Sequence, residues 1–261
     1  MSQPKEWVKK RYGAIAERKQ QGCCGGASDG RRTAAAVARR IGYRAAQLDA
    51  VPEGANLGLG CGNPVALASI RPGETVLDLG SGAGFDAFLA APRVGKKGRV
   101  IGVDMTPEMI KKARANAKRA GCANVEFHLG DIEALPVEDV SVDLVISNCV
   151  LNLVPDKQKA FREIARVLKP GGRAAVADIV LDKPLPKALK GSANAYTSCV
   201  SGAISRAAYL RAMKQAGLTD VRVASEADAA ALIAGDCCDA GVPDLKGVVT
   251  SIHITARKPA R

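Results

Sequence analysis

The segment Val76-Leu77-Asp78-Leu79-Gly80-Ser81-Gly82-Ala83-Gly84-Phe85-Asp86 runs from apolar residues into glycines at alternate positions. Glycines in such a place let the chain turn sharply and bring bare backbone against a ligand. Asp104 follows twenty residues after Gly84, the spacing at which an acid accepts hydrogen bonds from a ribose diol. The pattern is Gly-x-Gly-x-Gly, not the Gly-x-Gly-x-x-Gly that seats a pyrophosphate, and no lysine follows to make a phosphate loop. Asp78 repels phosphate and favours a cationic group. A third acid, Asp131, stands at the next strand end. The ligand these residues describe has a ribose and a positive end but no phosphate.

A second set of reactive residues is the cysteines, eight in all. Cys61 lies in Gly58-Leu59-Gly60-Cys61-Gly62-Asn63-Pro64, Cys149 follows Ser147-Asn148 at a strand end, and Cys199 lies in Tyr196-Thr197-Ser198-Cys199-Val200-Ser201-Gly202. All three segments belong on the ligand side of the sheet, so three thiols could close on one soft centre. Zinc is a poor fit, because there is no Cys-x-x-Cys pair and His128 and His253 fall within predicted strands. A three-thiolate site without a fourth ligand suits a softer ion that carries a lone pair. Cys149 read alone is equally a buried apolar residue, and Cys122, after Gly121 at a helix end, reads as a bystander.

These residues need elements to hold them. Strands are predicted at Thr75–Leu79, Arg99–Asp104, Val125–Leu129, Val142–Ser147 and Arg173–Asp178, with helices over Gly84–Val94, Pro107–Ala120 and Asp156–Leu168 between them. Lys169-Pro170-Gly171-Gly172 reads as a helix stop before the fifth strand. Short buried strands alternating with helices imply a parallel sheet covered on both faces. A helix near Ser205–Ala216 precedes strands at Asp220–Ala224 and Val248–Ala256, which would add as an antiparallel edge pair. Upstream, helices are expected over Lys5–Gln20 and, capped by Thr33, from Ala34 to Ile41, with the thiols Cys23 and Cys24 in the loop between. The expected division is a helical cap over 1–56, a ligand-binding core over 57–180, and a substrate-side segment completing the sheet over 181–261.

The 261 residues are 47% hydrophobic and 25% charged, an ordinary globular mixture, and no apolar run suits a membrane span or a signal peptide. A cytoplasmic location with reduced thiols is the expectation. The net charge is +12, and residues 1–50 carry 11 basic against 4 acidic groups. With aromatics at 3%, that excess offers little for stacking on bases, which argues against a nucleic-acid partner and for a helical lid.

S-adenosylmethionine has the ribose, the positive amino-acid end and no phosphate. On the residues from Asp78 to Asp131 the chain resembles the class I S-adenosylmethionine-dependent methyltransferases, and the resemblance spans residues 57–256. The resemblance implies a Rossmann-like α/β fold, with a mostly parallel seven-stranded sheet, an antiparallel C-terminal edge pair and a helical N-terminal extension. It also implies that Asp78, Gly80, Ser81, Gly82 and Gly84 lie under the methionine part. Asp104 would bind the ribose, Met105, Asp131 and Ile132 would hold the adenine, and Asn148 would flank the methyl group. Neither the Asn/Asp-Pro-Pro-Tyr-like motif of nucleic-acid amine methyltransferases nor the Pro-Cys of cytosine-carbon methyltransferases is present.

Three stretches are more specific. Asn56-Leu57-Gly58-Leu59-Gly60-Cys61-Gly62-Asn63-Pro64, Ile146-Ser147-Asn148-Cys149-Val150-Leu151-Asn152-Leu153 and Ser198-Cys199-Val200-Ser201-Gly202-Ala203 resemble the arsenite S-adenosylmethionine methyltransferases. In that family three cysteines bind trivalent arsenic, and Cys61, Cys149 and Cys199 match them. A further N-terminal cysteine takes part in disulfide exchange, matched by Cys23 or Cys24. Leu59 departs from the tyrosine of some relatives. The implied partners are arsenite or its thiol conjugates and an external thiol reductant of the glutathione or thioredoxin type. Cys237-Cys238 reads either as an intake or redox pair or as two polar-loop thiols. The alternatives to an arsenite methyltransferase are a small-molecule methyltransferase with structural cysteines and a non-catalytic thiol-based metalloid-binding protein.

Overall fold

Runs such as Thr-Val-Leu-Asp-Leu and Val-Asp-Leu-Val-Ile-Ser-Asn are short, β-branched and apolar on both faces, so they form strands only if both faces are covered. The computed structural model, which describes residues 2–17, 33–230 and 245–260, covers them. β1 (Thr75–Leu79), β2 (Arg99–Asp104), β3 (Val125–Leu129), β4 (Val142–Asn148), β5 (Leu168–Leu181), β6 (Thr219–Asp228) and β7 (Val249–Arg257) form one sheet in the order β3-β2-β1-β4-β5-β7-β6. Its first five strands are parallel, and β7 runs antiparallel to both β5 and β6. The reversed strand is therefore inserted beside β5, and β6 forms the outer edge.

α5 (Phe85–Val94), α6 (Pro107–Ala120), α7 (Lys157–Val167) and α9 (Arg206–Gln215) supply the crossovers and the flanking layers. Alternate residues of one strand serve opposite cores. Val76 packs with Phe88, Ile110 and Phe127, whereas Leu77 and Leu79 pack with Phe161, Ile164 and Tyr209 on the other side. The chain leaves β1 toward β2 in one direction and β4 toward β5 in the other. The crevice beyond the carboxyl ends of β1 and β4 is thus the topological switch point where such sheets bind ligands.

The helix stops before Lys169-Pro170-Gly171-Gly172 as expected, at Val167, but these four residues do not precede the fifth strand: they are part of it. β5 already begins at Leu168, and its pairing with β4 shifts register between Val142 and Leu144 to absorb the extra residues. Long-range bonds hold the segment to the sheet: Gly171 N–H donates to Lys258 O at 3.1 Å, and Gly172 O accepts from Lys258 N–H at 2.8 Å.

The N-terminal part comprises α1 (Gln3–Glu17), α2 (Ala34–Arg40), α3 (Ala45–Asp49) and α4 (Pro64–Leu67). Thr33 caps α2 as expected, its Oγ1 accepting from Ala36 N–H at 3.2 Å. α1 is docked onto the ligand side of the sheet. Lys5 pairs with Asp131 at 2.5 Å and with Glu133. Arg11 donates to Thr197 Oγ1 and Ser198 Oγ, both at 3.0 Å, and Trp7 meets the Tyr196 ring edge-on at 6.1 Å. Two of the basic residues of this helix, Lys5 and Arg11, thus bond to the protein itself. Among the described residues, no helix is long and apolar enough to cross a membrane.

Candidate functional site

Three cysteines far apart in the chain meet above the switch point. Cys61 lies in the loop before α4, Cys149 directly after β4, and Cys199 just beyond α8 (Ala193–Thr197). Cys61 and Cys199 are buried, and all three are free thiols. Cys149 sits next to both other thiols, and Cys199 Sγ donates to the Cys149 carbonyl at 2.9 Å. The two neighbouring thiols, together with burial, push the Cys149 pKa well above its ordinary value, and burial pushes Cys61 up. Cys149 and Cys199 adopt left-handed φ values of 57° and 61°, an unfavourable backbone for a side-chain-bearing residue that recurs at functional sites.

The Cys61 loop is held by close approach and by one amide. A Cβ on Gly62 would lie 2.0 Å from His253 Nε2, so only glycine fits there. Asn148 Oδ1 accepts from Cys61 N–H at 3.0 Å, while its Nδ2 donates to Gly62 O at 2.8 Å, to Tyr43 OH at 2.9 Å and to Asp86 Oδ2 at 3.1 Å. Tyr43 OH donates to Asp86 Oδ1 at 2.6 Å. Burial raises the Asp86 pKa to about 6, with the Tyr43 and Asn148 bonds opposing the rise. This buried network ties the N-terminal cap, the start of α5 and the end of β4 to the Cys61 backbone.

Beside the thiols lies the glycine loop. Gly80, at φ 64°, faces Val150, whose Cγ2 would stand 2.4 Å from any added Cβ. Asp78 is buried at the loop's base, and its Oδ2 has no hydrogen-bond partner among the described residues; neither do the buried hydroxyls of Ser81 and Ser147. Burial, with Asp86 and Asp104 nearby, pushes the Asp78 pKa well up. A buried carboxylate with one unpartnered oxygen in a glycine cradle is chemically suited to a cationic ligand group. Asp104 accepts from Gly82 N–H at 2.9 Å and from Thr106 N–H at 2.8 Å, and burial outweighs these bonds to raise its pKa. Burial alone would raise Asp131 too, but the Lys5 bond and charge hold it below its usual value. Ile132 is buried in the core, and Met105 packs against the apolar cluster that contains Cys61 and Cys199.

Residues 70–217 match the family model described as a methyltransferase domain. The chain is 48% identical, over 98% of its length and 67% of the relative's, to an arsenite methyltransferase of Halobacterium salinarum. It is 35% identical to the solved arsenic(III) S-adenosylmethionine methyltransferase of Chlamydomonas reinhardtii, covering 85% of this chain and 73% of that one with a TM-score of 0.65. The chain belongs to the arsenite methyltransferase family. It spans only half of another curated member, the arsenite methyltransferase of Aquipseudomonas alcaligenes, to which it is 39% identical over 64% of its own length.

The structure brings Cys61, Cys149 and Cys199 together, and sets the Asp78–Gly84 loop and Asp104 beside them. It gives Asn148 a network role toward Cys61, and Asp131 an ion pair with α1. Cys122 stands apart, half-buried against α6. His128 is on the sheet surface, 3.6 Å from Glu126, and His253 packs on Gly62. Cys23, Cys24, Cys237 and Cys238 lie outside the described residues. Sequence reasoning assigned no role to Tyr43, Lys5, Asp86 or Asp178. Asp178 is the nearest to having been legible, since it lies toward the carboxyl end of β5, where the corresponding positions of its neighbours were singled out.

Proposed function

We propose that this chain transfers a methyl group from S-adenosylmethionine to trivalent arsenic bound by Cys61, Cys149 and Cys199, in arsenic biotransformation and detoxification. The observation that supports this reading best is the meeting of three thiols from three separate segments beside a glycine-loop cleft. Asp78 and the Gly80–Gly84 backbone would hold the amino-acid end of the donor, with Ser81 beside them. Asp104 would take the ribose, and Met105, Asp131 and Ile132 the adenine. Asn148 would serve from the methyl side while pinning the Cys61 loop.

S-adenosylmethionine, when bound, supplies an electrophilic sulfonium methyl. The thiols give their protons to the hydroxyl groups of arsenite, which leave as water, and three sulfur–arsenic bonds form. Arsenic is then pyramidal and its lone pair is the nucleophile, so no base is needed to expose it. The lid helix and the buried thiol pocket exclude water and fix the approach. Methylation formally oxidises arsenic. Two protein thiols would return the electron pair and become a disulfide, which Cys23 or Cys24 would attack before an external glutathione- or thioredoxin-type thiol resets the enzyme.

The test mixes the protein, S-adenosylmethionine, arsenite and a thiol. S-adenosylhomocysteine and methylated arsenic are expected only when arsenite is present, and not with Cys149→Ser or Cys199→Ser. Full methylation by both serine variants would refute the assignment. Arsenite binding without turnover would instead favour a metalloid-binding protein.

A further inference from the structure

The proposed three-thiol reading gives Asp178 no role, yet its carboxylate stands beside two of the three sulfurs. One of its carboxylate oxygens and the sulfurs of Cys61 and Cys149 all lie within 4.8 Å of one another. The residue is fully buried, at 0% exposure. Its orientation is fixed from three sides. Oδ1 accepts from Asn152 Nδ2 at 2.7 Å and from Ile179 N–H at 2.9 Å, and Oδ2 accepts from Tyr209 OH at 3.0 Å. Lys157, the other charged group near it, directs its ammonium to the carbonyls of Asn152 and Val154. A buried carboxylate is costly where an amide of the same shape would fill the space. Its place beside the sulfurs calls for a chemical reason.

The proposed reaction supplies one. As the arsenic–carbon bond forms from the arsenic lone pair, the bond from that carbon to the sulfonium sulfur breaks and its electron pair returns to sulfur. Positive charge therefore leaves sulfur and appears on arsenic, which becomes four-coordinate and cationic. The ground-state arsenic trithiolate is neutral. A fixed negative charge next to it gains most as the positive charge grows, which is the condition for lowering a barrier rather than merely tightening binding. We propose that Asp178 stabilises the positive charge developing on arsenic during methyl transfer. This rests on the proposed function and adds a charge-stabilising group to it.

A purely structural role is the competing explanation, because Asp178 also anchors Asn152, whose carbonyl Gly202 approaches closely enough that a Cβ would stand 2.1 Å away. Asp178→Asn separates the two. Arsenite affinity, measured without the methyl donor, is expected to stay within about threefold of wild type. Single-turnover methylation of prebound arsenite is expected to slow about 100-fold, the size of effect seen when one preorganised electrostatic partner is removed. A rate within threefold of wild type, or a loss of arsenite binding as large as the loss of rate, would overturn the proposal. The pair Asp178→Glu and Asp178→Gln has equal size and differs only in charge, so it decides the matter if the Asn variant does not fold. The Glu variant should be at least tenfold faster than the Gln variant, and equal rates would also overturn the proposal. Wild type is run alongside: no arsenite-dependent S-adenosylhomocysteine from it would defeat the proposed function itself, whereas an active wild type with an equally active Asn variant defeats this inference alone.

Discussion

Tyr43→Phe removes a single buried oxygen from the network behind Cys61. Tyr43 OH gives Asp86 a 2.6 Å hydrogen bond and accepts one from Asn148 Nδ2 at 2.9 Å. A hydrogen bond to a charged group is worth about 1.5–3 kcal/mol, so a loss of about 2 kcal/mol is expected where Asp86 is ionised. For a chain of this size that corresponds to a fall in Tm of about 4–8 °C. The loss should depend on pH. The folded-state pKa of Asp86, about 6, lies above its ordinary 3.8, so the fold disfavours the carboxylate and this residue's contribution to stability falls as pH rises through about 6. The tyrosine donor opposes that penalty, and removing it deepens the penalty only where Asp86 is charged. Denaturant titrations at pH 8 should show the full 2 kcal/mol. At pH 5 the acid is neutral and the difference should shrink to about 1 kcal/mol or less. A destabilisation that is the same at both pH values, or that stays below about 0.5 kcal/mol at pH 8, would refute the network as described.

Gly62→Ala forces a methyl group against His253 Nε2 and the Ala177 side chain, and should cost about 1–3 kcal/mol in denaturant titrations while weakening arsenite binding more than donor binding, because Cys61 is the next residue. Lys5→Gln removes the ion pairs that hold α1 to Asp131 and Glu133, in which the lysine side chain is 13% exposed. A loss of about 1 kcal/mol corresponds to roughly fivefold faster amide hydrogen exchange across α1, and unchanged exchange there would show that its docking does not depend on Lys5.

Local patterning carried much of the architecture. β1, β2 and β3 fall where their runs predict: β1 is buried along Val76–Leu79 and β2 along Val100–Val103, while β3, an edge strand, buries only Phe127 and carries Glu126 and His128 between its apolar residues. β5 shows where this fails. Lys169-Pro170-Gly171-Gly172 has every local mark of a turn, but the backbone of Lys258, nearly ninety residues later, supplies the bonds that keep it on the sheet. Similarly, Asn148 looked free to face a ligand, and only the fold revealed that its amide is used by Cys61, Gly62, Tyr43 and Asp86.

By itself the sequence determined the alternating α/β pattern, the glycine loop with its acids, and the three cysteine-bearing segments whose resemblance pointed to arsenic. Those features are short-range, set by residue type and spacing over a dozen positions or fewer. Only the tertiary structure decided that the three thiols come together, that Lys5 and Arg11 tie α1 to the ligand side of the sheet, and that Asp178 stands beside the sulfurs of Cys61 and Cys149. Each of those depends on which strands are neighbours and how side chains reach across them, and contacts between residues tens of positions apart leave no periodic trace along the chain.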